Sequence, residues 1–183
     1  MSKLKIYTRI RPHEKQNFRK RPYNITYQEH NIQLKVEKLN VMNEKKIVRQ
    51  NFMFDKVFDI DYLNSDIFNE IGFQMMRNLQ NGKNSVFYVY GQTGSGKTHT
   101  LFGSKSCEVG ARVHAPTKGF VELLLEKLLS VNMKVKYQGI QVYNNKCYDI
   151  FTHKELKECE NHDGSLHFLN GSEYAVEENI SEI

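Results

Sequence analysis

Gly91-Gln92-Thr93-Gly94-Ser95-Gly96-Lys97-Thr98 is the stretch on which the reading of this chain turns. It fits the P-loop pattern, Gly-x-x-x-x-Gly-Lys-Ser/Thr, without a mismatch. Each position has a physical task. Glycines permit backbone conformations closed to residues with a Cβ, so that successive N–H groups converge on phosphate oxygens, and the helix expected to start at Gly96 or Lys97 adds the partial positive charge of its N-terminus. The Lys97 ammonium is suited to bridging the β- and γ-phosphates of ATP, and the Thr98 hydroxyl to ligating magnesium. The expected cofactors are therefore ATP and Mg.

The flanks supply the context that such a loop needs. Upstream, Ser85 to Tyr90 reads as a buried strand running straight into the glycines. Before it, Phe68, Ile71, Met75 and Leu79 recur at three- and four-residue steps, which predicts an amphipathic helix over Ser65 to Gln80 with Asn64 or Ser65 as N-cap and Asn81-Gly82 closing it. Downstream, a polar loop from Ser104 to Thr117 leads to a helix over Gly119 to Val131 that buries Phe120, Leu124 and Leu128. A long strand from Met133 to Tyr143 changes phase near Gly139, and Cys147 to Phe151 is placed to pair back on it through Asn144-Asn145. Toward the N-terminus, Leu4 to Ile10 reads as a strand ending at Arg11-Pro12. Asn24 to Arg49 suggests a small hairpin lobe around Ile32, Leu34 and Val36, and Phe52-Met53-Phe54 a further short strand.

The whole chain, 183 residues with 39% hydrophobic and 11% aromatic residues, suffices for one sizeable core. No apolar stretch approaches the roughly 18 residues of a membrane span, and the basic start lacks the apolar core of a signal peptide. Cys107, Cys147 and Cys159 have neither metal-ligand spacing nor an even number for disulfides, which fits a reducing compartment. These readings predict a soluble cytoplasmic protein without a membrane partner. The net charge of +5 hides an asymmetry: Met1 to Gln50 has 13 Lys/Arg against 4 Asp/Glu, the rest 13 against 17. Such a basic third either steers the protein toward a polyanion (nucleic acid, an anionic membrane, an acidic protein surface) or is a solvated face. Thr152 to Ile183 holds eight acids and two lysines and specifies its structure weakly.

Four landmarks in one order resemble the kinesin motor domain family. Tyr90 to Thr100 is similar to its P-loop, with Gln92 at the second position and His99-Thr100 after Lys97-Thr98; Arg9-Ile10-Arg11-Pro12 is similar to its first-strand Arg-x-Arg-Pro; Phe52 to Phe58 resembles its Phe-x-Phe-Asp segment; and Gln141 to Ile150 resembles its Glu-Ile-Tyr-Asn-Glu segment. The resemblance implies an α/β P-loop NTPase fold, a mixed β-sheet flanked by helices, present as its first half. Residues 1–151 carry it best. It implies that Arg9, Arg11, Pro12 and His99 contact the adenine, that microtubules are the partner rather than nucleic acid, and that the location is cytoskeletal. Lys35-Val36-Glu37 sits where the microtubule-depolymerising kinesins carry a Lys-Val-Asp finger, against the plainer reading of a hairpin tip. Glu158 to Gly164 loosely resembles their Glu-Asp-Gly stretch.

Two strings of the family are absent, the Ser-Ser-Arg-Ser-His and Asp-Leu-Ala-Gly switches. Asp149 and Asp163 are the aspartates beyond the P-loop, and neither is placed to substitute for a switch. Without groups that orient water and sense the γ-phosphate, hydrolysis by this chain alone is not expected. Most of the tubulin footprint is missing with them. So are the two strands that flank the P-loop strand in the family, which leaves three expectations open: a truncated product, a second chain completing the sheet, or the tail covering the gap. The alternative functions are a non-motor nucleotide-binding interaction module and a small-molecule P-loop kinase.

Overall fold

β1 (Tyr7–Arg9) is followed by a three-stranded antiparallel meander of β2 (Tyr23–Gln28), β3 (Asn31–Leu39) and β4 (Lys45–Met53). The chain then returns in β5 (Lys56–Phe58), parallel to β1 with Thr8 opposite Val57. The computed structural model describes residues 4–11, 23–39, 44–105, 107–109, 112–114, 116–164, 166–169 and 171–176. These belong to two units, Met1–Phe120 and Val121–Ile183.

Side chains alternate between the faces of a strand, so the register puts Ile32, Leu34 and Val36 of β3 on one face with Ile25, Tyr27, Val48 and Phe52. Asn24, Lys35 and Arg49 line up across the other. This corrects two expectations. Phe52 and Met53 end β4 instead of forming a separate strand. Lys35 and Val36 lie inside β3 paired on both sides, and Glu37 pairs with Ile47 of β4, so the triplet is not a hairpin tip.

Helix α1 (Asn64–Gln80) begins one residue earlier than the periodicity predicts, and its buried residues are Asn64, Ile67, Phe68, Gly72 and Met76. Ile71 and Met75 are half-buried and Leu79 is exposed. The buried stripe is rotated because the helix is anchored through Asn64, and Gly72 leaves room for the Phe68 ring. Neither Asn64 nor Ser65 caps the helix; the Leu63 N–H donates to Asp66 Oδ2 at 2.8 Å instead. Asn81 and Gly82 close it, with Gly82 at φ 67°.

Ser85 to Tyr90 departs most from expectation. The segment is extended but pairs with no strand among the described residues. Ser85, Phe87 and Val89 are half-buried, and the Phe87 ring stacks on Phe120 at 4.1 Å between centroids. The alternate residues Val86, Tyr88 and Tyr90 are 91%, 79% and 88% exposed. An apolar run signals a strand wanting cover on both faces, and this unit provides cover on one.

Helix α2 (Lys97–Phe102) follows the P-loop as expected, and Gly103 ends it at φ 76°. In place of a polar loop, the chain makes two strand pairs: β6 (Gly103–Ser104) with β9 (Thr117–Lys118), and β7 (Cys107–Val109) with β8 (Arg112–His114). A Cβ on Gly103 would collide with the Thr117 carbonyl, so only glycine closes this stem. The unit packs Val57, Phe58, Ile67, Phe68, Met76 and Phe120 into its core, with the Phe68 and Phe120 rings edge to face at 5.5 Å.

Helix α3 (Phe120–Ser130) opens on the last residue of the first unit, and buries Leu125 and Leu128 in the second; Leu124 is only half-buried. The strand expected over Met133 to Tyr143 is two, β10 (Val135–Tyr137) and β11 (Ile140–Tyr143). The break falls at Gly139, where a Cβ would strike the Ile150 side chain. Strand β11 pairs with β12 (Lys146–Asp149) through Asn144 and Asn145, both at positive φ (49° and 59°), as a two-residue hairpin of type I′ requires. The described part of the acidic tail forms strands, which its composition did not suggest. It adds β13 (Glu155–Glu160) and β14 (Leu166–Leu169) to that hairpin, while β15 (Tyr174–Val176) pairs with β10, Val176 opposite Val135. Among the described residues, then, the tail's strands pair with β10, with β12 and with one another.

Candidate nucleotide-binding site

The P-loop winds through two glycines in the left-handed region, Gly94 (φ 78°) and Gly96 (φ 102°), and a Cβ added to either would meet no atom within 4 Å. They are needed for backbone shape alone, and that shape leaves open space beside the loop. At Gly91 a Cβ would lie 2.5 Å from Ser95 Oγ, so a larger residue there would have to turn the serine hydroxyl aside. Lys97 Nζ curls back over the loop and donates to the carbonyls of Gly91 at 2.7 Å and Gln92 at 2.9 Å. Gln92, Thr93 and Thr98 are exposed around it. Arg11 Nη1 donates to the Gly94 carbonyl from the end of β1, so two cations hold the loop.

Open backbone beside a lysine and a threonine hydroxyl fits a magnesium–polyphosphate. Gly94 and Gly96 would offer backbone N–H groups, Lys97 the charge, and Thr98 a magnesium ligand; the metal would supply charge neutralisation at the phosphates. Among the described residues, no group of three His, Cys, Asp or Glu side chains could hold a metal by itself. Asp149 does not serve either, because its carboxylate is wholly buried in the second unit and accepts the N–H groups of Phe151, Thr152 and Ser172 at 2.7–2.9 Å. Those bonds, Thr152's first, hold its pKa well below the usual carboxylate range.

Of the four residues expected at the base, three come together and Pro12 lies outside the described residues. His99 Nε2 is 3.3 Å from Thr117 Oγ1, which in turn is 2.8 Å from Ser104 Oγ. Partial desolvation first, then the charges of Arg9 and Arg11, lower its pKa from the ordinary 6.5, although the residue is exposed. Arg9 is anchored along its guanidinium edge: Nη1 donates to Asn64 Oδ1 (2.7 Å) and Thr100 Oγ1 (2.8 Å), and Nη2 to the Tyr62 carbonyl (3.2 Å). Asn64 was legible only as a helix-start residue. Its role here depends on partners 35 to 55 residues away in the sequence, for which no local pattern gives a signal.

Comparison with known proteins gives the family. The kinesin motor domain family matches residues 9–182. Relatives include kinesin-like protein KIN-12E of Arabidopsis thaliana, 28% identical over 82% of this chain, and kinesin-like protein KAR3 of Saccharomyces cerevisiae, 29% identical over 80%. The protein claret segregational of Drosophila melanogaster is 26% identical over 94%. The matched regions are 15%, 20% and 25% of those relatives' lengths. A solved fast kinesin has the same fold with a TM-score of 0.70 at 20% identity, over 94% of this chain and 48% of its own. A family match over nearly the whole sequence, a shared fold, and a P-loop set between the same landmarks lead to one conclusion: the chain belongs to the kinesin motor domain family.

Proposed function

We propose that Gly91 to Thr98 hold magnesium-ATP, and that the chain is the nucleotide-binding part of a kinesin-type motor site whose partner is the microtubule. The observation that carries this reading is the clasp of Lys97 over the carbonyls of Gly91 and Gln92, beside two glycines whose conformation turns backbone toward open space. Lys97 and Thr98 meet the phosphates and the magnesium. His99, Arg9 and Arg11 stand on the base side. A planar imidazole is suited to stacking on a base, and a guanidinium held by its edge keeps its faces for stacking. The place of work is the microtubule cytoskeleton in the cytoplasm.

Neither switch string occurs in the sequence, so the chain by itself binds nucleotide without turning it over. Ser85 to Tyr90 pairs with no strand among the described residues, and Val86, Tyr88 and Tyr90 are exposed, which supports further strands, of the same or a second chain, completing the sheet beside the P-loop. Titration with a fluorescent ATP analogue tests the reading. Saturable, magnesium-dependent binding displaced by unlabelled ATP is expected; absence of displaceable binding by a folded chain overturns it.

A further inference from the structure

We propose that Asn64 is the positioning residue of the base side of the nucleotide site, setting Arg9 and His99 against each other from the first turn of α1. The inference rests on the nucleotide-site reading above and adds a residue that no P-loop or first-strand motif contains.

Asn64 is only 7% exposed, yet every polar group on its side chain is used. Oδ1 accepts from Arg9 Nη1 at 2.7 Å, while Nδ2 donates to the carbonyl of His99 and to that of Lys118, each at 2.9 Å. One carboxamide thus ties four elements: β1, α1, α2 and β9. Its orientation follows from chemistry. Turned over, it would set its NH2 against a guanidinium and its oxygen against two carbonyls, which leaves every partner unsatisfied in a buried place.

The bonds act on both base-side residues at once. Arg9, fixed to Asn64, also reaches Thr100, whose hydroxyl donates to the Gly96 carbonyl at 3.1 Å. His99 is fixed by its own carbonyl at Asn64 and by its ring at Thr117, which lies next to Lys118 on β9. Removing Asn64 therefore frees Arg9 from its shared bond, and α2 from its tie to α1, in one step. A buried amide that served stability alone would need its groups satisfied, but not by the two residues that line one side of a ligand site.

The test compares Asn64→Ala, Asn64→Asp, Arg9→Lys and a control, Met76→Val, which trims the core on the same helix without touching these bonds. All are measured in the full chain, at a temperature where circular dichroism shows each to be folded. Affinities are read for ATP and for tripolyphosphate, which carries the charges without the base. Asn64→Ala should weaken ATP binding about tenfold and tripolyphosphate binding less than about threefold, the loss of one buried positioning group. Asn64→Asp keeps the acceptor for Arg9 but loses both donors, and should fall between. Arg9→Lys, which keeps charge but not the fork, should reproduce the ATP-selective loss, and Arg9→Ala should add little in the Asn64→Ala background. Equal losses for both ligands, or an ATP affinity that tracks thermal stability as in Met76→Val, overturn the proposal. Amide hydrogen exchange gives a readout free of nucleotide: Asn64→Ala should speed exchange across 97–102 more than Met76→Val does, and unchanged exchange there overturns the proposal. If the parent chain binds neither ligand, the nucleotide-site reading fails, and exchange alone decides whether Asn64 positions Arg9 and α2.

Discussion

Cutting Lys97 back to Ala removes the ammonium that holds Gly91 and Gln92 and, on the proposed reading, the main positive charge at the β- and γ-phosphates. The magnitude follows from an exchange of bonds. Lys97 already donates to two carbonyls at 2.7 and 2.9 Å, so binding phosphate trades two ion–dipole bonds for two bonds to charged oxygens, and the net gain is the difference. Hydrogen bonds to charged groups contribute about 1.5–3 kcal/mol net, which corresponds to a loss of roughly 10- to 100-fold in ATP affinity. The loss should shrink from ATP to ADP and vanish for adenosine, since Lys97 is remote from the base. Competition against a fluorescent ATP analogue at fixed magnesium and ionic strength measures the series, and a thermal melt shows that the variant is folded. A change under about threefold for ATP, or an equal fall for ATP and adenosine, would refute the reasoning.

Replacing Tyr88 and Tyr90 by lysine should suppress concentration-dependent association in sedimentation velocity while leaving thermal stability nearly unchanged, because both rings are mostly exposed; persistent association would show that another surface drives it. Asp149 has its pKa lowered in the fold, so its stabilisation is complete above the ordinary value of 3.8 and is lost as pH falls below it. The melting temperature of the parent chain should thus fall more steeply below about pH 4 than that of Asp149→Asn, and parallel curves would contradict the assignment. Co-sedimentation with microtubules should weaken as salt rises, since attraction between exposed charges is screened beyond roughly 8 Å at physiological ionic strength; salt-independent pelleting would point to aggregation. Phosphate release should stay at the blank rate with polymerised tubulin and appear when the second half of a related motor domain is added in trans. Turnover by the chain alone, abolished by Lys97→Ala, would assign the missing catalytic work to residues already present.

How much was legible in the sequence divides by the range of the interactions. The P-loop, the helix after it, the Asn81-Gly82 stop and the Asn144-Asn145 hairpin are set by contacts within a few residues, and glycine or asparagine chemistry at fixed offsets writes them directly into the chain. The first turn of α1 was also expected nearby, although which face it buries was not. Periodicity counts apolar residues, and here a buried polar residue, Asn64, fixed the rotation.

By itself the sequence determined a P-loop motif in a strand-like, then helical, context, and a set of landmarks in kinesin order. Only the tertiary structure decided what surrounds them. The apolar run over Ser85 to Tyr90 states that the segment is extended and apolar, but burial of Val86, Tyr88 and Tyr90 depends on neighbours that a linear pattern does not contain. The tail's composition is acidic and loosely patterned, yet Val176 finds Val135 across 41 positions because β10 offers it an edge. Arg9, Asn64 and Thr100 meet from three distant points of the chain, and each alone is an ordinary polar residue. Backbone conformation is a local property, so sequence records it; hydrogen-bond partners of buried side chains are chosen by packing, which exists only once the chain has folded.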